Sequence, residues 1–281
     1  MSIHPSLARA ISRAMLSPED LALVESLHIR DAGHGYDAFG LHRDFVGLGL
    51  ALTHGLYDNY FRVISTGAEH IPKKGPVILA ANHSGTVPVD GMMLWVDVLR
   101  HGRRVPRPVA DHFVPALPFV GTFFSRGGVV GGSRGNARAL LEGGELLMIF
   151  PEGVPGIGKP FSERYHLQEW RVGHAELAIR HRAPVVPVAL IGPEEQMPQL
   201  LRLERLGKLL GLPYLPVPAT PLPMPVRYRL FYGPPIPVHL EYSPDQADDP
   251  AIVHQASERV RDAVAGLIAS GLRERGGRLF T

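Results

Sequence analysis

Residues 77–91 read VILAANHSGTVPVDG. Five apolar residues, Val77 to Ala81, run straight into Asn82 and His83, with Ser84 and Gly85 behind them and an acid at Asp90. A short apolar run that ends abruptly in polar and turn-forming residues reads as a buried strand. Open α/β sheets place their functional groups just beyond the ends of such strands. Histidine is the side chain best suited to take a proton near neutral pH, and a nearby carboxylate can fix its tautomer. His83 with Asp90 is therefore a candidate base with an orienting acid. The same stretch also fits a loop histidine followed by the acid of a helix start.

The flanking sequence repeats the strand signal. ELLMIF (145–150) and APVVPVALIG (183–192) are further buried strands, and YFRVIST (60–66), RPVAD (107–111), GVVGG (128–132) and VRYRLFYG (226–233) are weaker ones. Helices are expected between them over 90–100, 136–144 and 166–182, the last burying Leu167, Trp170, Leu177 and Ala178. A final helix should run from Pro250 to Leu272 behind an Asp249 cap. This alternation predicts an α/β fold: a single domain with a mixed, mostly parallel sheet flanked by helices. Pro187 within 183–190 predicts an edge strand or a bulge. Residues 206–225 hold six prolines, which exclude helix and central strand for most of their length. An ordered cover over the core and an apolar lip beside a lipid-binding tunnel both remain open.

Towards the N-terminus, Ser17 followed by Pro18, Glu19 and Asp20 reads as a capped helix start. Leu41, Phe45, Leu48, Leu52, Leu56 and Tyr60 form a helical stripe. It suits a core-packed helix or an interfacial one whose apolar face enters the lipid headgroup region. Residues 1–59 are thus expected to be a helical segment, with 60–281 as the α/β domain.

Composition narrows the classes. The 281 residues include no cysteine, which excludes disulfides, thiolate metal sites and a cysteine nucleophile. The fourteen histidines are scattered, without the spacing of a zinc helix, so neither a metal nor a cofactor is expected. The net charge of +2 hides two basic clusters, RHGRRVPR (100–107) and RERGGR (273–278). Each fits a solvated face or a patch for anionic lipid. Without aromatics interleaved they argue against nucleic acid. No segment reaches the roughly 20 apolar residues of a spanning helix, and the start lacks the apolar core of a signal peptide. The expected location is the cytoplasm or the cytoplasmic face of a membrane.

Three further blocks carry candidate chemistry. PFVGTFFSRGGVV (118–130) puts Arg126 after an apolar run, a guanidinium suited to phosphate. IFPEGVPG (149–156) ends a buried strand in Glu152 and Gly153, a carboxylate beside a residue that lets a ligand approach the backbone. APVVPVAL would shape a pocket.

Taken in order, NHSGTVPVD, GTFFSRGG, FPEG and APVVPVAL resemble the four blocks of the glycerolipid/lysophospholipid acyltransferase family, over roughly residues 60–235. The resemblance implies a glycerol-3-phosphate acyltransferase-like fold. It also implies transfer of an acyl chain from acyl-CoA or acyl carrier protein, as co-substrate, to a lipid hydroxyl, without an acyl-enzyme. His83 would be the general base and Asp90 its partner. Arg126, Glu152 and Gly153 would line the acceptor site, and Val186 and Pro187 would sit near the acyl or acceptor pocket. Backbone N–H groups around Ser84, Gly85 and Thr86 would hold the oxyanion. Two departures stand out. Six residues separate His83 from Asp90, where the family usually has four, a variation that resembles the branch of monoacylglycerol and diacylglycerol acyltransferases. The arginine that often follows FPEG is replaced by Pro155, so a phosphorylated acceptor would need its cation from Lys159, Arg164 or Arg126. Two rivals are a non-catalytic, membrane-surface lipid-binding protein of the same fold and a lipid hydrolase using Ser84. The hydrolase would lack the usual G-x-S-x-G elbow.

Overall fold

The computed structural model describes residues 3–84, 89–111, 120–209 and 214–280. Three helices come first: α1 (Pro5–Met15), α2 (Pro18–Ser26) and α3 (Arg43–Gly55), the last continuing into one wide turn at Leu56–Tyr60. The Ser17 side chain caps α2, as its place before Pro18 predicts. Alternation then begins with β1 (Ile64–Thr66), β2 (Val77–Ala81), α4 (Val89–Asp97) and β3 (Pro106–Ala110). It continues through α5 (Val120–Arg126), β4 (Val130–Gly131), α6 (Arg134–Glu142) and β5 (Leu146–Ile149). Next come α7 (Gly173–Arg180) and β6 (Val185–Ile191). A separate antiparallel pair, β7 (Gln199–Leu203) and β8 (Leu215–Pro218), precedes β9 (Arg229–Tyr232) and the long α8 (Pro250–Glu274).

Seven strands form one sheet in the order β1-β9-β6-β2-β5-β3-β4. Neighbours are parallel except β6 and β9, so the sheet is mixed and mostly parallel. β2 lies at its centre, and its five residues are completely buried because both faces are covered. Val77, Leu79 and Ala81 pack with Val46 of α3 and Leu94 of α4. Ile78 and Ala80 pack on the opposite side with Leu140 of α6, Ala178 of α7 and Val260 of α8. That is the period-two alternation of a strand with a core on each side.

Three expectations need correction. β6 is an interior strand and not an edge, Pro187 notwithstanding. The Pro187 carbonyl accepts from Gly233 N–H at 2.9 Å, so its nitrogen faces the β9 side. β9 has already ended at Tyr232, so the missing N–H breaks no ladder bond. Gly233 leaves room for the ring, since a Cβ there would sit 2.8 Å from Pro187 Cγ. The helix expected over 166–182 is only Gly173–Arg180, because the preceding residues give their N–H groups to the FPEG loop. The strand expected over 60–66 begins only at Ile64, the helical stripe having run on to Tyr60. Consistent with the exclusion of a central strand, part of the proline-rich stretch forms β8, an edge strand, where proline is tolerated. Within the 41–60 stripe, Leu41, Phe45 and Leu48 are core residues, whereas Leu52 and Tyr60 are exposed.

Candidate active site

β2, β5 and β6 end side by side, with β2 in the middle. Three polar segments therefore leave the sheet together: Asn82-His83-Ser84, Pro151-Glu152-Gly153 and Gly192–Glu195. Asn82 completes the ladder as β2 ends. Its side-chain amide donates to the Leu190 carbonyl at 3.1 Å and its oxygen accepts from Leu190 N–H at 2.7 Å. The side chain thus stands in for a further backbone pair to β6 and sets the point where His83 departs.

His83 is held on several sides. Its N–H donates to Glu152 Oε1 at 3.0 Å. Its ring stacks on Phe150, with centroids 4.3 Å apart. Its Nδ1 lies 2.6 Å from Asp90 Oδ2. Asp90, in the first turn of α4, is completely buried and also accepts from Ser84 N–H at 2.9 Å and Gly91 N–H at 2.7 Å. Hydrogen bonds from the backbone compensate the carboxylate for the water it has lost. With Nδ1–H donated to Asp90, the imidazole keeps Nε2 as an acceptor with no partner among the described residues, and the side chain remains 15 % exposed. A half-buried imidazole with one nitrogen tied to a buried acid and the other open is equipped to remove a proton.

Glu152 is a bracket. It is buried, and while Oε1 holds His83, Oε2 accepts from Gln168 N–H at 2.8 Å and lies 3.4 Å from Lys159 Nζ. Lys159 in turn donates to Glu194 Oε1 at 2.9 Å and to the His166 carbonyl at 3.1 Å. Burial pulls the Lys159 ammonium down, but Glu194 and then Glu152 outweigh it and hold its pKa above the usual lysine value. One buried cation thus ties the ends of two strands together. Gly156, in the helical turn Val154–Ile157, presses directly on the histidine: a Cβ there would lie 2.9 Å from the His83 carbonyl oxygen and 2.8 Å from Glu152 Cβ.

His83, Asp90, Glu152, Gly153 and Lys159 therefore converge as one cluster. Arg126 does not join it. Its guanidinium donates to the Ile3 carbonyl at 2.8 Å and stacks 4.4 Å over Phe45, facing a cavity of about 530 Å³ between the N-terminal helices and the Tyr36 loop. Arg164 lies over the Phe161 ring at 4.8 Å and lines a small neighbouring cleft with Lys159 and Glu194. Val186 and Pro187 are buried within β6, with Val186 in the core beside Leu79. Gly85 and Thr86 lie outside the described residues. Ser84 corrects an expectation: its N–H already serves Asp90, so it is not free for an oxyanion. Asn82, Phe150 and Glu194 also take part in the cluster and Arg171 lies beside it, though none of them was among the expected site residues. Only Asn82 and Phe150 carried a signal, as polar and aromatic terminators of apolar strands.

Residues 62–191 match the Acyltransferase family model. The chain is 37% identical over 219 residues to an uncharacterized protein of Mycobacterium tuberculosis, covering 74% of this chain and 61% of that protein. It thus spans about three fifths of that relative's length. It is 29% identical over 239 residues to the Bos taurus DGAT1/2-independent enzyme synthesizing storage lipids, covering 78% of this chain and 67% of that one. Its fold matches the crystal structure of the 1-acyl-sn-glycerophosphate (LPA) acyltransferase PlsC from Thermotoga maritima. The TM-score is 0.54 and the identity 16%, with 98% of this chain and 97% of that one covered. The chain has an α/β fold of the PlsC kind. Residues 62–191, a little under half of the chain, are the part that matches the acyltransferase family. No helix among the described residues is long and apolar enough to cross a membrane.

Proposed function

We propose that this protein is an O-acyltransferase that moves a fatty acyl chain from a thioester, acyl-CoA or acyl carrier protein, to a hydroxyl of a glycerolipid or lysophospholipid. The observation that carries this reading is the 2.6 Å pairing of His83 with buried Asp90, braced from behind by Glu152. In the proposed step, Nε2 of His83 removes the proton as the acceptor oxygen attacks the thioester carbonyl carbon. The carbon–sulfur bond breaks, and the histidine returns the proton to the departing thiolate. Asp90 supports the imidazolium that exists in between. Glu152 and Lys159 act as positioning residues. The Thermotoga maritima protein is a 1-acyl-sn-glycerophosphate acyltransferase and the bovine relative an enzyme synthesizing storage lipids, which supports a lipid acceptor of the glycerolipid kind. A Ser84 hydrolase is disfavoured, because that residue is completely buried and its hydroxyl has no partner among the described residues to activate it.

The test is thiol release from acyl-CoA and acyl carrier protein with a panel of lipid acceptors. His83→Ala should lower kcat by about 10² to 10⁴, the range of general-base catalysis. A variant as active as the wild type would sink the assignment. A wild-type protein that releases no thiol with any acceptor would support the lipid-binding alternative.

A further inference from the structure

The helical turn after FPEG presents no cation to an acceptor. Pro155 is neutral, and Gly156 is pressed against His83 and Glu152 with no room for a side chain. The three cations that the sequence offers in its place are all engaged. Lys159 is buried between two carboxylates, Arg164 rests on Phe161, and Arg126 is bound to the Ile3 carbonyl.

A fourth cation stands at the loop itself. Arg171 precedes α7, and its N–H donates to the Pro151 carbonyl at 3.0 Å, which ties it to the FPEG turn. Its guanidinium lies over Gly153: a Cβ on that residue would be 3.3 Å from Cζ and 3.5 and 3.6 Å from the two terminal nitrogens. Gly153 has φ +57° and ψ −144°, a conformation open essentially to glycine alone. Any side chain there would be strained, and its Cβ would press on the guanidinium, which would have to shift by a few tenths of an ångström. The Arg171 residue is exposed, and its side chain makes no hydrogen bond or ion pair with any described residue. A planar cation lying over a site loop, anchored there through its own backbone and with its donors unspent, is a feature that suits phosphate recognition. Gly153 adjoins Glu152, the residue that holds His83, and only a few bonds separate the phosphate and free hydroxyl of a glycerol phosphate.

We propose that Arg171 forms the headgroup subsite of this site and that the acceptor carries a phosphate, with the charge supplied from the segment before α7 and not from the turn after FPEG. This rests on the acyltransferase reading above. Arg171 does no chemistry; it selects the acceptor and places its hydroxyl.

The experiment compares lysophosphatidate with monoacylglycerol of the same chain length, acceptors that differ by one phosphate, using purified full-length protein and an acyl thioester. In Arg171→Ala the lysophosphatidate-to-monoacylglycerol ratio of kcat/KM should fall about 10- to 100-fold, the span of losing charge-assisted hydrogen bonds. The fall should appear in KM for lysophosphatidate and not in kcat. Arg171→Lys, which keeps the charge but not the fork, should recover part of it. An unchanged ratio in Arg171→Ala overturns the subsite, and so does a wild type that acylates monoacylglycerol but not lysophosphatidate. Both outcomes leave the acyltransferase reading standing. If no acceptor is acylated at all, that reading fails, and the subsite is judged on equilibrium binding of lysophosphatidate. Equal affinity of wild type and Arg171→Ala would then overturn it, and weaker binding by the variant would sustain it.

Discussion

Two carboxylates stand seven residues apart on α4, Asp90 in its first turn and Asp97 at its end, and both are completely buried. Each is fully used. Asp90 takes the His83 imidazole and two backbone N–H groups. Asp97 takes the hydroxyls of Tyr57, Tyr232 (2.5 Å) and Ser65 (2.9 Å). Burial and hydrogen bonding therefore do not separate an acid that works from one that holds. What separates them is the partner. The Asp90 partner is an imidazole that reaches the surface with a free nitrogen. Tyr57 and Tyr232 are buried, and burial followed by the Asp97 charge pushes their pKa values above the usual tyrosine range, so they stay protonated. An imidazole does lie near Asp97, that of His101, but its Nε2 stops at 3.7 Å, beyond hydrogen-bond distance.

The largest effect that could break this contrast is on rate. Asp90→Asn keeps the shape but removes the charge that supports an imidazolium, and a carboxamide can present the wrong group to Nδ1. We expect kcat to fall by about 10³ to 10⁴, with little change in KM, comparable to loss of the orienting acid in a serine-protease triad. If kcat stayed within a few-fold of wild type, Asp90 would be another Asp97. The matching change at the other end, Asp97→Asn, should act on stability. Three hydroxyls would lose a charged acceptor, and charge-assisted bonds are worth about 1.5–3 kcal/mol each before relaxation. A loss of about 2–4 kcal/mol in urea unfolding, with kcat within about three-fold, is the expected result. A rate loss like that of Asp90→Asn would erase the distinction.

The same contrast shows how far the chain can be read without coordinates. Buried strands are legible because a strand covered on both faces must be apolar throughout, and β2, β5 and β6 all read that way. His83 with Asp90 is legible because two polar residues interrupt such a pattern at its end. Asp97 was not singled out, since an acid inside a helical stripe looks like any solvated charge. Its partners come from β1, β9 and the turn after α3, which only the fold brings together. Lys159 was legible as a cation but not as a buried one, because Glu194 lies 35 residues away on another strand end. Arg171 was hidden by a period error. The apolar residues Leu167, Trp170, Leu177 and Ala178 suggest one long helix. In the structure, the N–H groups of Gln168 and Arg171 are drawn off by Glu152 and the Pro151 carbonyl, and the helix cannot begin until they are past.

The smallest effect concerns a second imidazole beside the site, which sharpens what an acid partner contributes. His174, in α7, is buried like Asp90, but no carboxylate meets it. Its Nδ1–H donates to the Arg171 carbonyl at 3.0 Å, its ring meets Trp170 edge-on, and Nε2 has no partner. Burial, only partly offset by that carbonyl, lowers its pKa from 6.5 to about 4. The unfolded chain therefore binds this proton before the folded one does. Between about pH 6.5 and pH 4 the unfolded state carries more protons, so stability falls as the pH drops through that window and is flat above it. The full penalty is on the order of 3 kcal/mol, of which about 2 kcal/mol should be felt by pH 5. His174→Leu removes the titration while keeping an apolar side chain in the cavity. The stability difference between variant and wild type, from urea unfolding at pH 7.5 and pH 5, should shift in the variant's favour by about 2 kcal/mol. A difference that stayed constant across that range would mean that His174 finds a proton acceptor when charged. Its environment would then resemble that of His83, and the acid would no longer be what sets the two histidines apart.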